Sequence, residues 1–322
     1  MLPITSYPKI SIVTPSYNQG QYIEQTILSV INQNYPNLEY IIIDGGSTDN
    51  TVDIIKKYEE KITYWISEKD NGQSHALNKG IAKCTGDIFN WINSDDYFED
   101  GTFYKLANHF TINNRVTSVS GWCKCFNENN SIDNFKSRSE YFENVESTMM
   151  QQKINQPATF YSLKVVQELG GINTGLHYGM DLELWFRYLA KYGQENILLV
   201  EDIFAYFRLH DESKTVQLQP KFREEEQTIW YSLLKSLNVN KFVIKYFENN
   251  LQINNKTIWD CKAVNKQKLI LLICKKYFYD FYKSKNYEAV KYAWFKLLIS
   301  GKLPVQKATF GILYNVYFKN TN

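Results

Sequence analysis

Residues 9–93 constrain the fold most tightly. Four short apolar runs alternate there with segments of helical spacing. KISIVTP (9–15), LEYIIID (38–44), ITYWIS (62–67) and GDIFNWIN (86–93) have the length and β-branched or aromatic content of strands. Between them, Ile23, Ile27, Val30 and Ile31 fall on one face of a helix within 20–33. A second helix is expected from a cap at Ser47 or Asp49 through Tyr58, and a third over Ser74–Lys83. The order β-α-β-α-β-α-β with short loops predicts a parallel sheet, because continuous apolar strands need cover on both faces.

In such a sheet, ligands bind at the carboxyl ends of the strands. Those ends deliver Pro15-Ser16-Tyr17-Asn18, Asp44-Gly45-Gly46-Ser47, Glu68-Lys69-Asp70 and Asn93-Ser94-Asp95-Asp96. Beyond Val119 the pattern loosens. SVSGWCKCF (118–126) and ATFYS (158–162) read as strands, and 127–150 as a loop or short helices over the site. MDLELWFRYLAKYG (180–193) reads as a helix with Leu182, Trp185, Phe186 and Leu189 on its apolar face, and ILLVED and FAYFRLH (197–210) as two strands. From about Leu218 the chain is helical, lysine-rich and aromatic.

Charge divides the chain at the same place. Residues 1–215 hold 18 Lys and Arg against 27 Asp and Glu, a net of −9. Residues 216–322 hold 18 against 7, a net of +11, which returns the total of +2. The expected organisation is a catalytic domain over 1–215 and a helical region over 216–322. The five cysteines show no CxxC spacing, and the alternating pair Cys123 and Cys125 suits neither a disulfide nor a zinc site. Reduced thiols, the lack of an apolar signal region in MLPITSYPK and the shortness of the apolar run Leu269–Cys274 point to a cytoplasmic protein, attached to a membrane at most by its surface.

The adjacent carboxylates Asp95 and Asp96 close an apolar strand, and no basic residue lies near them in sequence. Two acids at a strand end suit a hard divalent cation, Mn²⁺ or Mg²⁺, which takes carboxylates together with a substrate's phosphates. The plainer alternative is an acidic turn that caps the next helix. GGSTDNT (45–51) lacks the lysine of a P-loop and the spacing of a dinucleotide fingerprint, which argues against an ATPase or a dinucleotide enzyme. Gly45-Gly46 is expected to turn the chain sharply and leave Asp44 exposed, either to accept from a base or ribose or simply to cap a helix.

PKISIVTPSYNQGQYIEQTILSVINQ, EYIIIDGGSTDNT, SEKDNGQSHALNKG and GDIFNWINSDD together resemble the family 2 glycosyltransferases, over roughly residues 8–211. The resemblance implies the GT-A fold, a three-layer α/β sandwich around a mainly parallel central sheet. It also implies inverting transfer of a sugar from a nucleotide-sugar donor, UDP-linked in the first instance. On the donor side it places Tyr17 against the base, with Pro15 and Asn18 in the same segment. It sets Asp44 at the base or ribose, Asp95 near the ribose and Asp96 on the metal. It makes Asp181 in GMDLELWFR the general base, with Glu183 in support. It gives His210 in FRLHDESKT a place in the metal shell or at the diphosphate, and Lys214 a place at the diphosphate. Gln156 in NQPATF resembles an acceptor-side segment. Three departures stand out: Gly45 where many members carry a second acid, Asn93 where many carry the first acid of the metal motif, and His75 where close relatives carry an acid, which bears on sugar choice or marks a neutral pocket wall.

The acceptor implied is a glycan or lipid-linked hydroxyl in cell-surface polysaccharide synthesis. Residues 216–322 match no pattern; their lysines and aromatics suit an anionic membrane face, with packing or homo-oligomer formation as the alternative. The acidic first part disfavours nucleic acid. Rival functions are a non-catalytic sugar-nucleotide or glycan-binding module and a nucleotidyltransferase. The latter lacks its expected basic phosphate segment in TPSYNQGQYIEQ.

Overall fold

The computed structural model describes residues 7–112, 114–127, 132–210, 219–248, 258–303 and 307–319. The first half forms β1 (Ile10–Ser16), α1 (Ile23–Ile31), β2 (Leu38–Asp44), α2 (Thr51–Lys57), β3 (Tyr64–Ser67), α3 (Gln73–Ile81) and β4 (Ile88–Trp91). These strands run parallel in the order β3-β2-β1-β4. β1 is buried along its whole length, and its Ser11 and Thr14 hydroxyls are bonded to Glu39 and Tyr40 of β2. Ile23, Ile27 and Val30 of α1 join Ile10, Ile12, Tyr40 and Ile42 in the core.

The rest of the sheet is mixed. Next come β5 (Tyr97–Phe98), α4 (Thr102–Ile112), β6 (Ser118–Asn127), β7 (Ile132–Ser137), α5 (Val145–Gln151), β8 (Thr159–Ser162), α6 (Leu163–Glu168), α7 (Met180–Tyr192) and β9 (Ile197–Leu209). The order continues β4-β8-β6-β9-β5, with β8 antiparallel to both neighbours, β9 parallel to β6 and β5 antiparallel to β9. Two sequence expectations are corrected here. The segment read as a loop or short helices over the site contains the short helix α5 and also the strand β7, which pairs with β6. The two strands expected over 197–210 are one, whose pairing with β6 shifts register near Trp122. Such irregularities bend a strand without ending it. The polar break that suggested two strands is explained by surface ion pairs: Glu201 with Arg138 at 2.8 Å, and Asp202 with His109 at 3.0 Å.

The chain forms two compact units: 1–140, 153–188 and 194–222 in the first, and 141–152, 189–193 and 223–322 in the second. The sequence boundary expected at 215 lies a few residues before the last switch between these units, at 222/223. The second unit contains α8 (Gln219–Ser236) from Arg223 onward, α9 (Lys241–Phe247), α10 (Lys266–Lys283), α11 (Tyr287–Ile299), α12 (Lys307–Tyr314) and a π-helical turn, Asn315–Lys319. The buried Glu146 of α5 accepts the Asn265 N–H at 2.6 Å, and the Asn265 side chain caps α10. Tyr246, Phe247, Tyr277 and Phe281 form a ring cluster with centroids 5.0–5.6 Å apart. No helix among the described residues is long and apolar enough to cross a membrane.

At the amino end of the sheet, away from the carboxyl ends, Glu39 is buried among specific donors. Lys9 Nζ lies 2.7 Å away, Ser11 Oγ donates at 2.5 Å, and the Thr85 N–H and hydroxyl each donate at 2.7 Å. Burial alone would raise its pKa, but Lys9, Ser11 and Thr85 outweigh it and hold the carboxyl near 2. A depressed carboxylate stabilises the fold above its unfolded pKa and stops doing so as pH falls through its folded value. The shift corresponds to a contribution on the order of 3 kcal/mol. Glu39→Gln is expected to lower stability near neutral pH. In urea unfolding, its deficit should shrink as pH falls from about 4.5 toward about 2. A deficit independent of pH would refute this account.

Candidate active site

The carboxyl ends of β1, β2 and β3 are in register: Ser16 pairs with Asp44, and Asp44 with Ser67. Asp44 is fully buried, contrary to the exposure expected from the glycine pair. Its Oδ2 accepts from the Gly46 N–H at 3.1 Å, the Ser47 N–H at 2.9 Å and the Ser67 hydroxyl at 2.6 Å, and its Oδ1 accepts from the Ser47 hydroxyl. The carboxylate thus ties the turn that follows its own strand. Gly46 is needed there, since its φ is +84° and a Cβ would come within 3.3 Å of the Lys69 nitrogen. Ser47 does not cap α2. Its oxygen serves Asp44 and accepts the Asn18 N–H at 2.8 Å, while Asp49 accepts the Thr51 N–H where the helix begins.

Asn18 joins this turn to the end of β1, its Oδ1 accepting the Thr48 N–H at 2.9 Å. Pro15 lies buried within β1 just before it. Tyr17, between them, is 60% exposed. An aromatic ring left in water on a rigid strand end is open to stack on a flat partner.

The carboxylate pair is held by the far end of β9. β5 follows Asp96 directly and pairs Tyr97 with Tyr206 and Phe98 with Ala205, which lays Arg208 and His210 beside the two acids. The Tyr97 and Tyr206 rings stack at 4.6 Å. The Arg208 N–H donates to Asp96 Oδ1 at 2.9 Å, and its guanidinium Nε donates to the Asp95 carbonyl at 3.0 Å. That guanidinium lies 4.6 Å from the Tyr22 ring centre and 4.4 Å from that of Phe126. The basic neighbour missing from the local sequence is therefore supplied from 112 residues away.

The two acids differ sharply in environment. Asp96 is only 1% exposed, and its Oδ2 is buried with no well-formed hydrogen bond. Burial pushes its carboxyl well above the ordinary range and the Asp95 charge adds to this, opposed by Arg208 and Asn93. Asp95 is partly exposed, and its Oδ2 lies 3.1 Å from His210 Nε2. Of the acid expected on the metal, Asp96, and the one expected near the ribose, Asp95, it is Asp95 that meets the histidine, while Asp96 faces inward.

No group of three or more His, Cys, Asp or Glu among the described residues forms a cation cage. The Asp95–His210 pair nonetheless fits an octahedral ion. Bonds of about 2.1 Å put neighbouring ligands roughly 3.0 Å apart, close to the 3.1 Å between these two atoms. Two protein ligands leave the other positions to phosphate oxygens and water, the arrangement Mg²⁺-like ions favour.

The first turn of α3 brings a second element to this end of the sheet. Gln73 Nε2 donates to Asn93 Oδ1 at 2.7 Å, and the next residue, Ser74, donates to the Leu176 carbonyl at 2.6 Å. Neighbouring residues thus tie the Asn93–Asp96 loop and the approach to α7 to one helix end. Asp181 occupies the first turn of α7, half-buried, with Oδ1 accepting the Leu182 N–H at 2.8 Å. Burial pushes the Tyr161 hydroxyl well up, and the charges of Tyr188 and Asp181 push the same way, so Asp181 lies within electrostatic reach of Tyr161.

The other expected site residues have the following surroundings. Glu183 is buried and paired with Arg187 at 2.7 Å, and Arg187 donates to the Leu169 and Gly171 carbonyls after α6. It braces that turn. Gln156 is buried too, its amide donating to Asn90 Oδ1 at 3.0 Å and to the Trp91 carbonyl at 2.6 Å, so it supports β4. His75 is half-buried on α3, with Nδ1 accepting the Asn71 N–H at 3.3 Å. Lys214 lies outside the described residues. Arg208 and Gln73 were not singled out from sequence, although Arg208 stands two residues before His210 in the same motif.

A parallel half-sheet, an acidic motif at its switch into a mixed half and an acid at a helix start in the same compact unit make up an α/β fold of the GT-A type. Residues 11–165 match the family described as Glycosyl transferase family 2. A Rickettsia typhi protein named as an uncharacterized glycosyltransferase, RT0329, is 27% identical over 252 residues, which span 74% of this chain and 76% of that protein. The Bacillus subtilis protein TuaG, named for teichuronic acid biosynthesis, is 33% identical over 131 residues, 40% of this chain and 52% of its own. Staphylococcus aureus TarS 1–349, solved in complex with UDP, superposes with a TM-score of 0.56 at 16% identity, covering 96% of this chain and 90% of that one, a likeness of fold. Residues 11–165 thus carry a family 2 glycosyltransferase domain, and the chain is a glycosyltransferase.

Proposed function

We propose that the chain is an inverting, metal-dependent transferase that moves a sugar from a UDP-sugar to a hydroxyl of a glycan or lipid-linked acceptor in cell-surface polysaccharide synthesis. The observation that carries this reading is the Asp95–His210 pair, two ligand atoms 3.1 Å apart at the strand end where a donor's diphosphate would lie. TarS, solved with UDP, and TuaG, named for a wall polymer, support the donor and the pathway class.

Tyr17 receives the nucleobase, and Asn18 with the Asp44-braced turn shapes the nucleoside pocket. Asp95 and His210 would hold Mn²⁺ or Mg²⁺, which would supply positive charge to neutralise the diphosphate. His75 lines the sugar side. Asp181 takes the proton from the acceptor hydroxyl as its oxygen bonds to the anomeric carbon. The bond from that carbon to the β-phosphate oxygen breaks, and the nucleoside diphosphate leaves with the electron pair. Lys214, by its position in sequence, serves the diphosphate. The enzyme works on the cytoplasmic side of the cell envelope.

A thermal-shift screen of nucleotide sugars with Mn²⁺ tests the donor. At a hundredfold excess over Kd, a ligand that binds only the native state adds about 2.7 kcal/mol, which raises Tm by roughly 5–10 °C for a domain of this size. UDP-sugars should give the largest shift. A larger shift with GDP- or dTDP-sugars would replace the UDP assignment.

A further inference from the structure

The second unit exposes apolar side chains where a self-contained helical bundle would not. α11 buries Ala289, Val290, Ala293 and Leu297 on one side, which is enough to anchor it. On another side Phe295, Leu298 and Ile299, at helical spacing, are 56%, 48% and 63% exposed. α12 repeats this arrangement. Ile312, with Val316 of the π-helical turn that follows, is buried, and Thr309 meets the Tyr279 hydroxyl at 3.1 Å, while Phe310 is 57% exposed. The π-helical turn after α12 touches α11, with the Tyr317 ring 5.7 Å from Trp294 and the Lys291 ammonium 5.8 Å from the Tyr317 ring.

Charge narrows the choice of partner. Residues 266–319 hold 11 lysines against 2 acids, Asp280 and Glu288. Two copies of such a surface placed face to face would bring like charges together. A surface of lipid phosphates would be complementary to it.

We propose that the outer sides of α11 and α12 dock on an anionic membrane surface. Phe295, Leu298, Ile299 and Phe310 enter the headgroup boundary. Lysines such as Lys291, Lys296 and Lys302 lie along lipid phosphates with their stems against the apolar layer. The inference rests on the helical unit and not on the transfer chemistry.

The test is co-sedimentation of the full chain with phosphatidylcholine vesicles, with and without phosphatidylglycerol. The comparison protein is a triple variant, Phe295→Ser, Ile299→Ser and Phe310→Ser, whose changes lie on exposed positions and should leave the melting temperature intact. A double variant, Lys291→Gln with Lys302→Gln, reads the charge contribution. The native chain should partition onto the anionic vesicles only. The triple variant should bind at least tenfold more weakly, and the double variant should bind more weakly with a reduced salt dependence. Donor hydrolysis in solution should be unchanged in both, which separates this inference from the donor assignment. Equal binding by the triple variant, or no binding by the native chain, overturns the proposal. So does a dimer in sedimentation velocity that the triple variant abolishes without any vesicle binding, because that would give the face to a second copy.

Discussion

Asp181→Asn should lower the transfer rate by about 10²–10⁴-fold, the usual contribution of a general base, while leaving the affinity for a nucleotide-sugar donor within about twofold of the native value. The substitution keeps the shape of the side chain, and its amide oxygen can still accept the Leu182 N–H that Asp181 Oδ1 now accepts. What it removes is the capacity to take a proton from the acceptor hydroxyl. Rate and binding should therefore separate: single-turnover transfer collapses while calorimetric titration of the donor does not change. A capping role would give the opposite pattern, since an acid at a helix start is worth less than about 1 kcal/mol when exposed and asparagine caps well. Turnover near the native rate would return Asp181 to that lesser role. A parallel loss of donor affinity would place it in the donor pocket.

The parallel half of the fold was legible because each strand is an unbroken apolar run and each helix carries its own periodicity. β1, β2 and β4 fall where those runs fall. The mixed half was less legible, because its pairings join distant segments. β9 is interrupted in sequence by Glu201 and Asp202, and only their surface partners show why a single strand tolerates them. The site divides in the same way. That acids gather at the strand ends follows from local sequence and topology. Which acid meets the histidine depends on the pairing of β5 with β9, and no local pattern carries that register.

The buried polar residues teach the same lesson. Asp44 looked exposed because two glycines follow it, yet those glycines let the chain fold back so that its N–H groups and Ser47 enclose the carboxylate. Gln156, expected on the acceptor side, braces β4. Glu183 did leave a sequence signal, since Arg187 stands four residues later on the same helix, the spacing of an ion pair. The Arg208 guanidinium, set between two rings and bonded to the Asp95 backbone, had a weaker one, its place beside His210 in a shared motif.

The metal assignment makes the second large prediction, and it turns on the contrast between neighbours. Chelation with EDTA should abolish transfer, and Mn²⁺ should restore it. Asp95→Asn removes the one exposed charge of the pair and should cost ~10³-fold or more in rate, since a cation's charge stabilisation amounts to several kcal/mol and each 1.36 kcal/mol is tenfold. His210→Gln removes a neutral ligand and should raise the Mn²⁺ concentration needed for half-maximal activity by at least tenfold. Asp96→Asn should act differently. Its Oδ1 accepts the Arg208 N–H from inside the fold, which an amide oxygen can also do, and burial already disfavours its charge, so an amide there should leave the melting temperature unchanged or raised and Mn²⁺ affinity within a few-fold. Water-proton relaxation with Mn²⁺ measures that affinity in the absence of any sugar. If Asp96→Asn abolished Mn²⁺ binding and Asp95→Asn spared it, the two acids would exchange roles, and Asp95 with His210 would be an ion pair beside the site. If both variants bound Mn²⁺ normally and the native enzyme worked in EDTA, the diphosphate would have to be neutralised by protein cations alone.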